Sequence, residues 1–372
     1  MNPKLTRADI EKIREAVTAL EQIEAMEVSA DTIPMSRKGI ASIDATLEEC
    51  RVTLGDGNAQ LRTRIDNTRA YFARLLKDSA DAMQTPPPKR RLEIHYKHPA
   101  ISTSVSDAAT AMNMHRPNWI TSGHMDSDNS GQVDPGAVSS VLAKIEEQMD
   151  RINIAHDAPI VMDVEHNLLL ALLVGDENVH KDFINVLNAI SREWPNRRIV
   201  WYGFPTALGT QWDLRYTEMM VRIMVDARID IVAPSAYFTG QPNEGRRFSL
   251  LLERGVTFAR QQQCGLWVAV HERFRKDAPP ELASRLVPHD LYRGRIIAIQ
   301  QREEVTGILS WRGDAGWTGK AFFRNILEQE RGHRTYQEWV DGNSIRELGR
   351  LNKHVERIAA DSAGSMPRDV TP

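Results

Sequence analysis

Cysteine is almost absent from this chain: Cys50 and Cys264, far apart in sequence, are the only two. A disulfide framework is therefore excluded, and two reduced, structurally neutral thiols suit synthesis in a cytoplasm. Long apolar runs are missing as well, none approaching the roughly 20 residues that cross a bilayer. The first ten residues, MNPKLTRADI, lack the apolar core of a secretory signal, so export by that route is not expected and the final location is left open. Charge of one sign is not in excess either. With 47 Lys and Arg against 50 Asp and Glu, the formal net charge of -3 calls for neither nucleic acid nor a membrane surface. No Gly-rich phosphate loop is present, and Gly123 and Gly203 read as turn or packing positions. His95, His98, His124, Asp163, Glu165 and His271 are of metal-binding type, but no His-x-His or His-Glu-x-x-His element exists, so no metal and no cofactor is expected.

What the chain does have is an ordinary globular composition, 41% apolar and 26% charged, over 372 residues. That length accommodates a barrel-sized domain and something smaller. From Thr6 to about Met83 the pattern is helical and nearly free of aromatic residues. Ile40, Ile43, Leu47, Cys50 and Leu54 recur at alternating steps of three and four, and Leu61, Ile65, Thr68, Phe72 and Leu75 do so after a change of phase. So narrow a stripe needs a partner. Gly55-Asp-Gly57 interrupts it, which leaves two readings: an antiparallel helical hairpin, or a coiled coil that makes homo-oligomers or docks the chain to a particle. Residues 1–84 are accordingly read as a docking or oligomerisation element, and the proline-rich 85–91 as a stiff linker.

Beyond residue 91 short β-branched runs alternate with amphipathic stretches. Strands are predicted at 92–96, 118–122, 159–164, 198–203, 230–236, 266–271 and 306–311. Helices are predicted at 136–152, 180–194, 213–228, 244–262, 288–304 and 319–331. Repeated strand-helix units imply a parallel sheet, and seven of them within about 240 residues fit an α/β fold of the TIM-like barrel type, distorted and seven-stranded, over 92–335. Residues 336–372 read as a C-terminal helix followed by a disordered tail.

The most informative stretch is Pro159-Ile-Val-Met-Asp-Val-Glu-His166. Apolar residues lead into Asp163 and Glu165, which are two apart and so project from the same face of an extended strand. At the carboxyl end of a barrel strand, such a pair stands where these folds keep their chemistry. Two close carboxylates do not both ionise freely, so one holds a proton near neutral pH and can act as a general acid. Against this stands a barrel-rim salt bridge, since Asp-x-Glu triplets arise readily by chance. The other strand ends supply His95, Tyr96 and His98; Tyr202; Ser235 and Tyr237; His271 and Glu272; and Trp311 with Asp314 beyond it. Aromatic faces suit the C–H groups of a pyranose ring, and phenols bond its oxygens. The catalytic reading expects Glu165 half-buried, hydrogen-bonded to Asp163 and surrounded by Tyr202, Tyr237 and Trp311.

Taken in order, LEIHYKHPA, PIVMDVEH, VWYGFP, IVAPSAYF and GILSWRGD resemble the hyaluronidases of glycoside hydrolase family 56 over about residues 92 to 314. That resemblance implies a glycosidase acting on an N-acetylhexosamine-containing polysaccharide. It implies Glu165 as proton donor, with Asp163 sharing its proton and steadying the substrate's acetamido group. Tyr96, Tyr202, Tyr237, His271, Trp311 and Asp314 would line the substrate. It also implies a retaining route in which the acetamido oxygen, rather than a protein nucleophile, attacks the anomeric carbon. Lys97 and His98 stand where the family has Trp and Asn, and His166 where it has Arg or Trp. The alternatives are a catalytically silent barrel that binds a glycan or builds a larger particle such as a phage tail, and another barrel hydrolase using a metal.

Overall fold

The structure, a computed structural model, describes residues 91–97, 103–206, 210–240, 244–275, 278, 286–311 and 336–364. The helical element read at 1–84, the linker before Arg91, the helix read at 319–331, Asp314 and the tail after Gly364 lie outside them. In chain order the elements are β1 (Glu93–Lys97), α1 (Thr103–Ala111), β2 (Asn118–Thr121), α2 (Ala137–Ile152), β3 (Ile160–Asp163), α3 (His166–Val174), α4 (Glu177–Glu193) and β4 (Ile199–Tyr202). They continue with α5 (Thr210–Asp226), β5 (Ile231–Ala233), α6 (Glu244–Gln262), β6 (Gly265–Val270), α7 (His289–Gln300), β7 (Val305–Trp311) and α8 (Tyr336–Gly364).

All seven expected strands form, and all pair in parallel in the order β1-β7-β6-β5-β4-β3-β2. The sheet curls: His115, just ahead of β2, bridges β1 by donating to Ile94 O and accepting from Tyr96 N, both at 3.0 Å. The stretch 115–121 thus meets strands from both ends of the sheet order, and the result is an α/β, TIM-like architecture. β5 stops at Ala233, earlier than the expected 236, because Pro234 has no N–H to give to the ladder. Beyond it Ser235 only bridges Ala269.

Two helices were not read from the sequence. α1, TSVSDAATA, is too small and polar to carry an apolar period. α3, HNLLLALLV, is apolar on nearly every side, so it has no period to find. α4 begins three residues before the expected 180 because Asp176 caps it, accepting from Asn178 N at 3.0 Å and Val179 N at 3.1 Å.

The described residues divide into two compact units. One, comprising 87–237, 247–271 and 299–372, holds all seven strands. Its strands are buried on both faces, as a curled parallel sheet covered by helices requires. Trp119, Val161, Val200, Tyr202, Ile231, Ala233, Trp267, Ala269 and Leu309 fill the inner face. On the outer face of β4, Trp201 meets Phe183 of α4 edge-on and donates to Tyr216 Oη of α5 at 3.2 Å. The other unit includes 238–246 and 272–298. Within it Glu244 is buried, pairs with Arg295 at 2.8 Å and accepts from the N–H groups of Thr239 and Gly240. Such a charge is satisfied on all sides, and it pins the backbone at Thr239 and Gly240.

Gly307 shows how tightly the inner face is filled. A Cβ there would lie 2.7 Å from Trp267 Nε1, and the indole cannot retreat because His95 stacks on it at 4.0 Å. Gly307→Ala is expected to destabilise the chain by about 1–3 kcal/mol through overpacking. Chemical denaturation would measure it, and an unchanged midpoint would mean that the inner face is loosely packed.

Candidate active site

Parallel register puts one residue from each strand end into a common inward layer. Lys97 of β1 lies beside Trp311 of β7, Thr121 of β2 beside Asp163 of β3, and Tyr202 of β4 beside Ala233 of β5. Alternation carries this layer on to Tyr237 and His271 just past β5 and β6. The rings confirm the placement. Tyr237 stacks on Trp311 with centroids 5.6 Å apart, His271 lies 5.9 Å from Tyr237 and 5.8 Å from Trp311, and Trp119 is 5.2 Å from Tyr202. The Tyr202 and Tyr237 hydroxyls are hydrogen-bonded to each other. Burial and the nearby Asp163 charge push the Tyr202 phenol well above its usual range, so it stays a neutral hydrogen-bonding group.

Asp163 is buried at this layer, with Trp119 Nε1 donating to its Oδ2 at 2.9 Å. Its Oδ1 has no hydrogen-bond partner among the described residues. Burial first, and then the charge of Glu165, push the Asp163 carboxyl up to about 6, with Lys97 and the Trp119 N–H opposing. Of the two neighbouring acids, Asp163, the buried one, has its proton affinity raised, chiefly by burial.

Glu165 differs from the expectation. Its side chain is 58% exposed, and no hydrogen bond joins it to Asp163. The reason is local: Glu165 is the last extended residue before α3, and its carboxylate turns outward to within 3.9 Å of His166 Nε2. Its backbone, by contrast, is held firmly. Ser122 Oγ accepts from Glu165 N at 2.6 Å and donates to Glu165 O at 2.9 Å. His166 then takes φ 57°, a left-handed conformation costly for a non-glycine residue. Its neighbour Asn167 is anchored on Asn129, its Nδ2 donating to Asn129 O at 2.7 Å. The Asn129 loop is itself gathered by the buried Asp126, whose carboxylate accepts from Ser130 N and Gly131 N at 2.8 and 2.9 Å. The backbone beneath the exposed acid is therefore rigid while its carboxylate is accessible.

Of the residues singled out in the sequence, the structure brings together Asp163, Tyr202, Tyr237, His271 and Trp311, with Glu165 at the rim. Tyr96 does not join them. It alternates with His95, which stacks inside on Trp267, so its ring faces outward, buried and hydrogen-bonded to Ser106 of α1. EIHYK alternates, with Glu93, His95 and Lys97 on one side and Ile94 and Tyr96 on the other, but the polar side is the one turned inward, which alternation alone does not reveal. Asp314 lies outside the described residues. Two inward groups were not singled out: Trp119, whose indole N–H holds Asp163, and Lys97, whose ammonium sits 3.8 Å from the Trp119 ring centroid. Trp119 carries no sequence signal beyond its place in a strand; Lys97 was visible only as a cation at a strand end. Lys97 makes no ion pair with either carboxylate. No group of three or more His, Cys, Asp and Glu side chains able to hold a metal occurs among the described residues, nor does a helix long and apolar enough to cross a membrane.

No family model matches the chain, and no curated protein matches it. Among solved structures, bee venom hyaluronidase in complex with a hyaluronic acid tetramer is similar, with 11% sequence identity and a TM-score of 0.43. The similarity covers 67% of this chain and 98% of that one. At that level it assigns no residue a role.

Proposed function

We propose that this chain is a glycoside hydrolase that cleaves an N-acetylhexosamine-containing polysaccharide, with Glu165 as general acid and base and Asp163 as its buried partner. One observation carries the reading: a solvent-reachable carboxylate and a buried carboxylate of raised proton affinity share a strand end, within a layer of Tyr202, Tyr237, His271 and Trp311. The aromatic faces offer a flat apolar floor for a sugar ring, and the paired phenols offer hydrogen bonds to its oxygens.

In this reaction the proton held by the acid pair moves to Glu165, leaving Asp163 ionised, and Glu165 passes it to the glycosidic oxygen as the bond to the anomeric carbon breaks. The acetamido oxygen of the same sugar attacks that carbon and closes a cyclic oxazolinium ion. Asp163, adjacent in the layer, accepts a hydrogen bond from the acetamido N–H and balances the developing positive charge. The carboxylate of Glu165 then takes a proton from water, whose oxygen opens the ring with net retention. No protein nucleophile is needed, which fits a site with one accessible acid.

A second reading, a catalytically silent glycan-binding barrel, draws on the exposure of Glu165 and the absence of a hydrogen bond between the two acids. An assay for new reducing ends across hyaluronan, chondroitin, chitin fragments, peptidoglycan and bacterial capsules separates the two. Cleavage of one of them that survives exhaustive chelation supports the proposal and removes a metal-assisted hydrolase. Saturable binding of a glycan with no new ends supports the silent barrel.

A further inference from the structure

We propose that Lys97 is a positioning residue for the acid pair, its ammonium seated on the Trp119 ring that holds Asp163 and governing that buried carboxylate without bonding it. The inference rests on the reading of Asp163 and Glu165 as the acid pair. The geometry runs in one line across three strands. Lys97 Nζ, from β1, lies 3.8 Å from the Trp119 ring centroid in β2, and the Trp119 N–H reaches Asp163 Oδ2 in β3 at 2.9 Å. A cation on an indole face draws electron density from the ring and makes its N–H a stronger donor. The same cation acts through space on both acids.

The surrounding groups leave this task to Lys97. Facing Asp163 are Glu165 and His166 from its own segment, Lys97 from β1, Trp119 from β2 and Tyr202 from β4, with Tyr216 of α5 also within its field. Glu165 raises Asp163, Lys97 and the Trp119 N–H lower it, His166 lowers it less, and the phenols stay neutral. Facing Lys97 are Arg116, which lowers it, and His124, whose own proton affinity it lowers. Burial brings the Lys97 ammonium down to about 8, opposed by Asp163 and Glu165. Near neutral pH the lysine is therefore still a cation, yet poorly hydrated enough to act strongly on its neighbours.

The test follows the Asp163 carboxyl carbon by NMR in the full chain labelled at Asp Cγ, its signal identified by its loss in Asp163→Asn. In Lys97→Met the Asp163 midpoint is expected to rise by roughly one pH unit, and in Lys97→Arg to stay near its original place. An unmoved midpoint in a folded Lys97→Met protein overturns the proposal. The unmodified protein gives a second reading that needs no variant: the Asp163 signal should show a further inflection near pH 8 as Lys97 loses its proton. A flat response there also overturns it. Failure of the two ideas is distinguishable. A shifted midpoint in a protein that cuts no glycan sinks the hydrolase reading and keeps the positioning role. An active enzyme whose Asp163 midpoint ignores Lys97 does the reverse.

Discussion

Glu165→Gln is expected to lower the rate of glycan cleavage at least about a hundredfold, the usual worth of a sole general acid, while leaving folding and glycan binding nearly unchanged. The side chain is 58% exposed and, among the described residues, its one ion-pair contact is His166 at 3.9 Å, so an amide of the same shape disturbs little. The backbone clamp on Ser122 does not involve the altered atoms. Asp163→Asn should also abolish turnover, but with a different signature in stability. Burial raises the folded-state carboxyl from the ordinary 3.8 to about 6, so the folded protein holds a proton that the unfolded chain has released. That contribution to stability is fully present below pH 4 and is lost as pH rises through 6, amounting to at most about 3 kcal/mol. Asparagine never ionises. The melting temperature of Asp163→Asn relative to the original protein should therefore climb between pH 4 and pH 8. Thermal unfolding at the two pH values, beside the reducing-end assay, checks both halves. Near-normal activity of Glu165→Gln would sink the catalytic assignment, and a pH-independent stability difference would sink the account of Asp163.

The second large effect concerns the outer face of the sheet. Trp201 is fully buried, edge-on to Phe183, and donates to Tyr216 Oη, itself buried. Trp201→Ala removes one of the largest side chains in the core and leaves the Tyr216 hydroxyl without its indole donor. A loss of roughly 3–5 kcal/mol is expected, from transfer and cavity terms together, and denaturant titration measures it. Trp201→Phe keeps most of the volume and should recover more than half of the loss. If the alanine variant unfolds at the original midpoint, α4 and α5 do not bind the sheet through this residue. Because Trp201 precedes Tyr202 on the same strand, a destabilised β4 should also weaken glycan binding.

The ordered motifs resemble a glycosidase family, and the arrangement of the side chains is compatible with the reading proposed from them. The first rests on short segments at strand ends; the second rests on where the side chains lie. They part at Glu165, which sits further into solvent than a proton-sharing pair requires, and at Lys97, a cation where the resembling family has an indole. Both differences sit at the mouth, where substrate would touch, so substrate choice is the property they bear on most directly.

The amino-acid order determined by itself that seven short β-branched runs alternate with helices and pair in parallel. It also placed Asp163 within a strand and Glu165 two residues on, just past that strand's end. Those features follow from local sterics and a two-residue period, which act over a few residues wherever the chain goes. The tertiary structure alone decided the rest. The alternation in β1 separates His95 from Tyr96 but does not say which face is inward, so only packing turned Tyr96 outward against α1 and His95 inward onto Trp267. The neighbours of Asp163 come from β1 and β2, dozens of residues away, and the curl of the sheet is what brings the Trp119 N–H and the Lys97 ammonium to it. Even the exposure of Glu165 was settled by how α3 begins, on a backbone pinned by Ser122, rather than by the strand that leads into it.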